Sequence, residues 1–401
     1  MISKKSTAEP FRILTLNSIS SAGLKRFPSG RYQVGGQVEA PDAILVRSQD
    51  LHAIEIPGGV KAIGRAGAGV NNIPVEQMSK RGVPVFNAPG GNANAVKELV
   101  IAGMLIAARN LLPALKFVEG LKGDDKALNR LVEDGKKQFA GLELPRHSIG
   151  VIGLGRIGSL VADAAIKLGM NVLGHDPEIT VDAAWSLPSQ VKKAQSIDEV
   201  LKGSDFVSLH VPLLDVTRNM INAERVRLMK QGTILLNFAR EGVVDNDAVL
   251  EGLAARRLRC YVCDFPARKL VGHPQVVALP HLGASTREAE DNSAIMVVDQ
   301  VRDFLENGNI LNAVNFPDVV MTREAPYRVG IANANVPNML GQISTAMARA
   351  GLNIHNMINK SKGEMAYTLV DVDSPVPADA VAKISGVKGV LSVRYLPVES
   401  Q

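Results

Sequence analysis

Three glycines with the spacing GxGxxG, Gly153, Gly155 and Gly158, directly follow the apolar run HSIGVI and precede a helical pattern. In that context glycines permit a tight turn and let backbone N–H groups approach a pyrophosphate. Asp176 ends the next apolar run, 18 residues after Gly158, where a carboxylate accepts hydrogen bonds from both ribose hydroxyls. Asp176 and Glu178 would repel a 2′-phosphate. The pattern therefore predicts a dinucleotide site that prefers NAD to NADP.

Metal chemistry is not indicated. The seven histidines show no ligand spacing such as HExxH, and the CxxC pair, Cys260 and Cys263, has no second ligand pair. The two cysteines lie in the apolar run LRCYVCDF, so we interpret them as buried strand residues. So few cysteines exclude a disulfide scaffold and indicate a reducing compartment.

Composition narrows the class of protein further. A chain of 401 residues with 46% apolar residues is long enough for several packed cores. The net charge of +5 comes without a dense basic block, so we predict no nucleic-acid partner. The first residues lack an apolar signal core, and nowhere do about 18 uncharged apolar residues run together. We therefore expect no membrane partner and a cytoplasmic location.

Two series of β-rich runs alternate with helical stretches, which is typical of parallel α/β sheets. The first contains FRILTLN, AILVRS, VKAIGRAG and VPVFNAP, and the second contains six runs from HSIGVIG to QVVALPH. Between them we predict a long buried helix over about 93–118, kinked or ended by Pro113, and an exposed polar linker at 120–141. The predicted fold class is α/β, with two Rossmann-like, doubly wound parallel-sheet lobes.

The last part of the chain has a different order of elements. After a stretch at 309–326 with Pro317 and Pro326, the pattern is β-α-β-β-α-β. About 75 residues in this order predict a small ferredoxin-like module.

These residues also carry a family resemblance that covers nearly the whole chain. The chain resembles the D-2-hydroxyacid dehydrogenases, and within them the D-3-phosphoglycerate dehydrogenases of serine biosynthesis. The terminal module resembles an ACT domain. The motifs are GRAGAGVNNI (64–73), RGVPVFNAPGGNANAVKELV (81–100), GVIGLGRIG (150–158), HVPLLDVTRNMI (210–221), LLNFAREGVVD (235–245) and LPHLGAST (279–286). The predicted domains are a substrate-binding lobe (1–92 and 286–312), an NAD-binding Rossmann domain (93–285), a linker (313–326) and an ACT-like regulatory domain (327–401).

The resemblance implies two catalytic residues. Arg240, after an apolar strand, would clamp the substrate carboxylate through two parallel hydrogen bonds. His281 would carry the hydroxyl proton, since an imidazole titrates near neutral pH. The alternatives are a surface arginine and a structural histidine. The glutamate that usually pairs with this histidine is missing, because no acidic residue follows Asp264 before His281. Either another residue takes its role or the imidazole works unassisted.

The resemblance also implies the cofactor-contacting residues. His210 would line the pocket rather than react. The full set is Gly153, Gly155, Arg156, Ile157, Gly158, Asp176, His210, Val211, Pro212, Thr217, Ala239, Asp264 and Gly283.

The resemblance implies substrate contacts at cationic and loop residues as well. A doubly charged phosphate needs about two or three cations. Arg47 is the strongest candidate, with Arg65 and the pair Lys136 and Lys137 as further ones, although a solvated charge run is the alternative for that pair. Lys97 lies in an apolar helical pattern and either faces the active site or extends to solvent. The predicted set is Arg47, Gly69, Val70, Asn71 and Lys97.

Regulation is implied for the terminal module. Asn333, Asn335 and Asn353 stand where the resemblance places contacts to L-serine, although turns also favour asparagine. Self-association is expected as well, as a homodimer through the nucleotide lobe or a homotetramer.

The resemblance therefore implies an NAD-dependent enzyme of the D-3-phosphoglycerate dehydrogenase kind. It would oxidise 3-phospho-D-glycerate to 3-phosphohydroxypyruvate, the first step of L-serine biosynthesis. One alternative is another D-2-hydroxyacid dehydrogenase, such as a glyoxylate or hydroxypyruvate reductase. The other is a non-catalytic NAD-sensing protein on the same fold.

Overall fold

The computed structural model describes residues 9–397, so residues 1–8 and 398–401, the ends of the first and last predicted domains, lie outside the described chain. The chain divides into two compact units. The first unit contains the chain up to Asn92 and again from Arg287 onward, and the second unit is Ala93–Thr286.

Strands and helices alternate through most of the described chain, with short 3₁₀ segments at Lys136–Phe139 and Glu241–Val243. The strands are β1 (Phe11–Leu16), β2 (Tyr32–Gly35), β3 (Ala43–Val46), β4 (Ala62–Arg65), β5 (Val85–Phe86), β6 (Ser148–Ile152), β7 (Asn171–His175), β8 (Lys192–Lys193), β9 (Phe206–Leu209), β10 (Thr233–Asn237), β11 (Leu258–Cys263), β12 (Val276–Ala278), β13 (Tyr327–Ala334), β14 (Ile354–Lys362), β15 (Met365–Val372) and β16 (Val390–Pro397). The helices are α1 (Ser21–Leu24), α2 (Val75–Lys80), α3 (Ala93–Ala108), α4 (Leu111–Glu119), α5 (Asp125–Gly135), α6 (Arg156–Lys167), α7 (Val181–Trp185), α8 (Ile197–Gly203), α9 (Ala223–Leu228), α10 (Asn246–Ala254), α11 (Arg287–Asn307), α12 (Met339–Arg349) and α13 (Ala378–Ser385).

The second unit is built on a parallel sheet with the strand order β12-β11-β10-β9-β6-β7-β8. Its strands are nearly continuous apolar runs, because helices cover both faces of such a sheet. The strand order reverses between β6 and β9, and ligands bind outside the carboxyl ends of the strands at such a switch point. The predicted Rossmann-like fold of this region is confirmed.

The first unit contains a second parallel sheet, in the order β2-β1-β3-β4-β5. Helix α11, from the far end of the chain, packs on this sheet. Its Val297 and Val301 share a hydrophobic core with Leu45 and Phe86. The first lobe is therefore completed by a helix that the sequence supplies about 200 residues later.

A separate antiparallel sheet, in the order β14-β15-β13-β16, forms the C-terminal part of the first unit. Helices α12 and α13 pack on one face, where Ile343 and Ile384 meet Val329. The other face contributes Tyr367 and Leu369 to the core of the first lobe.

The stretch around 313–326, which we predict as a linker, is packed rather than free. Phe316, Val319 and Met321 are buried in the core of the first lobe. Burial of these apolar side chains is favourable, so the connecting segment packs against the first lobe.

Two local predictions in the second unit need correction. The long helix breaks at Asn110, which adopts the left-handed conformation, and Pro113 lies in the first turn of α4, where proline costs no helix hydrogen bond. The polar stretch at 120–141 is helical rather than a linker, because Asp124 caps α5 by accepting a hydrogen bond from Ala127 N at 2.9 Å.

Among the described residues, no single helix is long and apolar enough to span a membrane, and α3 with α4 meets that length and composition only as a pair bent by 65°.

Candidate active site

The glycine turn after β6 has the geometry that its spacing predicts. Gly153 has φ +90°, and a Cβ there would lie 2.5 Å from the carbonyl oxygen of His210. A Cβ on Gly158 would collide with the carbonyl of Gly153. Gly155 is exposed, and a Cβ there would meet no described atom within 4 Å. Thus two glycines are needed for the turn itself, while the third leaves the N-terminus of α6 open to an anionic ligand.

Asp176 follows β7 and braces this turn. Its Oδ2 accepts a hydrogen bond from Leu154 N at 2.8 Å, and its Oδ1 accepts one from Glu178 N at 3.0 Å. A carboxylate has about four acceptor positions. The remaining positions are sufficient for the two ribose hydroxyls.

His210 follows β9 and is enclosed beside the glycine turn. One ring nitrogen, Nε2, lies 2.8 Å from Ser208 Oγ, and Nδ1 is buried with no partner among the described residues. Burial lowers the pKa of His210 to about 3, so the imidazole is neutral at physiological pH. A neutral ring with an unpaired nitrogen suits a pocket-lining role.

The segment after His210 is braced internally. Thr217 Oγ1 donates to Pro212 O at 2.6 Å and accepts from Leu214 N at 2.8 Å. The Thr217 hydroxyl therefore stabilises its own turn, and its contact with the cofactor stays a prediction.

Arg240 follows β10, and Asn237 determines the path of the backbone there. Asn237 is fully buried; its side chain donates to Arg240 O at 3.0 Å and accepts from Ala239 N at 3.1 Å. The Arg240 side chain is exposed, and its Nη1 donates to Ala239 O at 2.7 Å. Asn237 is not among the residues predicted from the sequence, although an asparagine inside the apolar run LLNFA is a signal, because a buried amide needs partners.

His281 lies in the loop after β12, is exposed and has φ +58°, a conformation that is rare for residues other than glycine. The turn is held by the buried Asp264, whose two carboxylate oxygens accept from Leu282 N and Gly283 N, both at 2.7 Å. The ring of Phe265 packs edge-on at a centroid distance of 5.0 Å. Asp264 thus orients the backbone of His281, not its ring. Within residues 9–397, no carboxylate hydrogen-bonds to this imidazole.

The topology brings these residues to one edge of the second unit. Gly153, Asp176, His210, Arg240 and His281 all follow the carboxyl ends of parallel strands. Along this edge the glycine turn lies in the middle, with Arg240 and His281 to one side of it and Asp176 to the other. The carboxyl edge of the sheet therefore carries a cofactor turn, a cation and an imidazole.

Of the predicted substrate contacts, Arg47 is paired in the first unit. Its Nη2 lies 2.7 Å from Glu290 Oε1 on α11. Gly69, Val70 and Asn71 form the loop after β4, closed by a hydrogen bond from Ile73 N to Val70 O at 3.0 Å.

Two further groups of predicted cations belong to the second unit. The side chain of Lys97 on α3 is 21% exposed, and its Nζ lies 3.6 Å from Glu98 Oε1. Lys136 Nζ makes a contact of 2.5 Å with Glu133 on the surface.

The asparagines of the C-terminal module do not converge within one chain. Asn335 Nδ2 donates to Gly363 O at 3.0 Å, just before β15, whereas Asn353 Nδ2 donates to Asp373 Oδ2 at 2.6 Å, just after β15. The eight residues of β15 span about 26 Å at about 3.3 Å per residue. Asn333 is buried at the same end as Asn335, and its Oδ1 has no partner among the described residues.

Metal-ligating side chains do not cluster in the part of the chain that the structure describes, where no group of three or more His, Cys, Asp or Glu could hold an ion. Cys260 and Cys263 are buried and unpaired with each other, and burial raises the pKa of Cys260 to about 12. Their thiols are therefore protonated.

A nucleotide turn at a sheet switch point, with an arginine and a histidine at the same edge, defines a dehydrogenase-like class of site. Comparison with known proteins agrees. Residues 101–283 match the family described as D-isomer specific 2-hydroxyacid dehydrogenase, NAD binding domain. The D-3-phosphoglycerate dehydrogenase of Methanocaldococcus jannaschii is 34% identical over 84% of this chain and 62% of its own length. That of Haemophilus influenzae is 32% identical over 86% of this chain and 83% of its own length.

A solved structure from Thermus thermophilus is 27% identical, with a TM-score of 0.62 over 76% of this chain and 100% of that chain. The chain belongs to the D-isomer specific 2-hydroxyacid dehydrogenase family. It spans 51% to 62% of the length of several curated relatives that it matches. The predicted family and the prediction of NAD as cofactor are confirmed.

Proposed function

We propose that this chain catalyses the NAD-dependent oxidation of 3-phospho-D-glycerate to 3-phosphohydroxypyruvate, the first step of L-serine biosynthesis. The observation that carries the proposal is the shared sheet edge on which the glycine turn, Arg240 and His281 lie. The relatives that match most of the chain are named D-3-phosphoglycerate dehydrogenases, which supports the substrate.

The residues present fit the cofactor. The open backbone at Gly155 would approach the pyrophosphate, Asp176 would bind the ribose, and His210 would line the pocket. The further contacts predicted by resemblance are Arg156, Ile157, Val211, Pro212, Ala239, Asp264 and Gly283. When bound, NAD accepts a hydride from C2 of a 2-hydroxy acid.

Arg240 would bind the substrate carboxylate and polarise the C2 oxygen. Asn237 sets the backbone path of this turn through hydrogen bonds with Ala239 N and Arg240 O. The Arg240 guanidinium itself is exposed, and it would supply positive charge where negative charge develops on the substrate. His281 would accept the C2 hydroxyl proton at a ring nitrogen.

The missing glutamate bears on how His281 is oriented. Asp264 holds the following backbone through Leu282 and Gly283, and Phe265 packs against the imidazole. In this proposal backbone restraint replaces the usual carboxylate, and the imidazole works unassisted. Lys97 is the other candidate for the acid/base role.

The substrate phosphate would be bound by Arg47, and Gly69, Val70, Asn71 and Lys97 would be further contacts to the substrate. Two phosphate charges favour a guanidinium through paired, charge-assisted hydrogen bonds. A phosphate site of this kind distinguishes the proposed substrate from unphosphorylated 2-hydroxy acids.

A turnover assay tests the reaction. NADH formation is measured with 3-phosphoglycerate, D-glycerate and D-lactate as substrates, and the reverse reaction with glyoxylate and hydroxypyruvate. Turnover of phosphoglycerate alone supports the proposal. A preference for glyoxylate or hydroxypyruvate would make the chain a different reductase of the family, and NAD binding without turnover would make it a sensor.

The C-terminal module is proposed to be a ferredoxin-like ACT domain that binds L-serine. Its strand order and its two helices on one face support this assignment. Because Asn335 and Asn353 lie at opposite ends of β15, serine could contact both only if a second copy supplied one of them. Calorimetric titration of serine tests this, with Asn335→Ala and Asn353→Ala variants expected to weaken binding. If no heat of binding is detected at serine concentrations up to several millimolar, the proposal that the module binds L-serine is wrong.

Self-association is proposed through the second unit. Helix α4 buries no residue and exposes Leu111, Leu115 and Val118 by 42%, 58% and 52%. An apolar face of this kind commonly marks a protein interface. Leu115→Glu should shift a dimer toward monomer in sedimentation analysis, whereas Lys116→Glu on the same helix should have a smaller effect.

A further inference from the structure

Two arginines follow neighbouring strands in the sheet of the first unit. Val46 at the end of β3 pairs with Arg65 at the end of β4, and Arg47 comes next along the chain. Across from them, the first turn of α11 carries Glu290. The Arg47 guanidinium and the Glu290 carboxylate form an ion pair with an Nη2 to Oε1 distance of 2.7 Å.

The position of Arg47 is fixed at its backbone. Its carbonyl oxygen accepts a hydrogen bond from Arg65 Nε at 3.2 Å and a longer one from Asn72 Nδ2 at 3.4 Å. Its side chain is 33% exposed, and that of Glu290 is 41% exposed. The backbone of Arg47 is thus held in position, while its guanidinium remains accessible to a ligand.

Glu290 is favoured as an anion where it stands. It lies near the N-terminus of a 21-residue helix, where the helix dipole stabilises negative charge. An exposed single ion pair is weak, so a stronger anion can displace it. A phosphate dianion carries twice the charge of a carboxylate and offers three acceptor oxygens.

We propose that Glu290 competes with the substrate phosphate for Arg47 and so sets the affinity of the enzyme for its phosphorylated substrate. This inference rests on the proposed function. In the absence of substrate the carboxylate occupies the guanidinium. A phosphorylated substrate displaces it, whereas an unphosphorylated 2-hydroxy acid has no group that does so and leaves the pair closed. Glu290 therefore lowers the affinity for a phosphorylated substrate and leaves that for an unphosphorylated acid unchanged, so it sets how far the enzyme prefers the phosphorylated one.

The test is steady-state kinetics of the full-length enzyme at constant ionic strength, with Glu290→Gln compared to wild type. The KM for 3-phosphoglycerate should fall roughly two- to five-fold, the range of an exposed ion pair. The kcat and the KM for NAD should stay unchanged. Glu288→Gln is the matched control, because Glu288 is an exposed acid in the same helical turn.

A double-mutant cycle shows whether the effect passes through Arg47. In an Arg47→Gln background, Glu290→Gln should leave the KM for phosphoglycerate unchanged. An equal fall in KM for Glu288→Gln would overturn the proposal, since general charge would then be the cause. A rise in KM for Glu290→Gln that Glu290→Asp restores would also overturn it, because Glu290 would then position Arg47.

The two proposals fail in different ways. If the wild type does not oxidise 3-phosphoglycerate, the proposed function fails, and the inference that rests on it fails too. If the wild type oxidises it and Glu290→Gln leaves its KM unchanged, the inference alone fails.

Discussion

Asp176 uses one carboxylate for two purposes. It accepts a backbone N–H from the glycine turn, and it is proposed to accept the ribose hydroxyls. Its charge is also expected to repel the 2′-phosphate of NADP. A substitution here affects both turn geometry and cofactor choice, so the two effects need separate variants.

We expect the wild type to prefer NAD strongly over NADP. Asp176→Ala should lower kcat/KM with NAD by about 10- to 100-fold, because hydrogen bonds to a charged group are lost. The same variant should narrow the preference for NAD over NADP. Asp176→Asn keeps an acceptor for Leu154 N. A similar loss of kcat/KM with NAD in that variant would therefore be caused by the missing charge and not by distortion of the glycine turn. Asp163→Asn on α6 is the control. Equal use of both cofactors by the wild type would contradict the assignment.

His281 combines an exposed imidazole with a left-handed backbone. We expect His281→Asn to lower kcat by about 10²–10⁴-fold while NAD binding persists, because the acid/base group is lost. Asparagine tolerates positive φ, so the variant separates chemistry from backbone strain. His273→Ala, in the same segment of the chain, should have little effect. Near-normal turnover of the His281 variant would move the acid/base role to Lys97 or another group.

At the scale of elements, the turn between β6 and α6 separates folding from binding. Gly153 needs its positive φ and its close approach to the His210 carbonyl, whereas Gly155 has ordinary backbone angles and open space. One glycine therefore serves the fold and the other the ligand.

Substituting these two glycines should give different results. Gly153→Ala should lower the free energy of unfolding by about 1–3 kcal/mol and impair NAD binding as well. Gly155→Ala should leave the melting temperature unchanged while weakening NAD binding about tenfold, since the new methyl occupies the approach of the pyrophosphate. Thermal melts and NAD titrations measure both. Equal melting temperatures for the two variants would show that the turn is not strained in this way.

At the scale of the whole molecule, a buried ion pair within the C-terminal sheet also bonds the segment that leads to this sheet from the first lobe. Arg328 Nε and Nη2 donate to the two oxygens of Asp371 at 2.6 and 2.8 Å, and both side chains are fully buried. Arg328 also donates to the carbonyls of Asn307, Met321 and Thr322. The pair therefore joins the sheet to the end of α11 and to the connecting segment.

Breaking this pair should destabilise the chain strongly. Asp371→Asn leaves a buried guanidinium without its counter-charge, which typically costs about 3–5 kcal/mol of unfolding free energy. Urea denaturation of the full chain measures this loss. Asp379→Asn removes an exposed carboxylate in the same module and should leave stability unchanged. A similar midpoint for both variants would mean that the buried pair does not hold the module in place.

Local sequence alone determined the cofactor turn and most strands of the two parallel sheets, although it gave no prediction of the short strands β2 and β8. Apolar runs that end in glycine, aspartate, arginine or histidine predict buried strands whose carboxyl ends carry polar groups, because burial and glycine's φ preference act over a few residues. Gly153 and Asp176 are therefore predicted without any knowledge of strand order, whereas Arg240 follows from the family resemblance.

Only the tertiary structure decided which distant groups meet. Asp264 holds the backbone after His281 from 18 residues away, and Glu290 reaches Arg47 across most of the chain. The separation of Asn335 from Asn353 likewise depends on how β15 is paired. Such contacts depend on strand order and on which face of a sheet becomes buried. These are set by the summed packing of the whole chain and leave no local pattern to read.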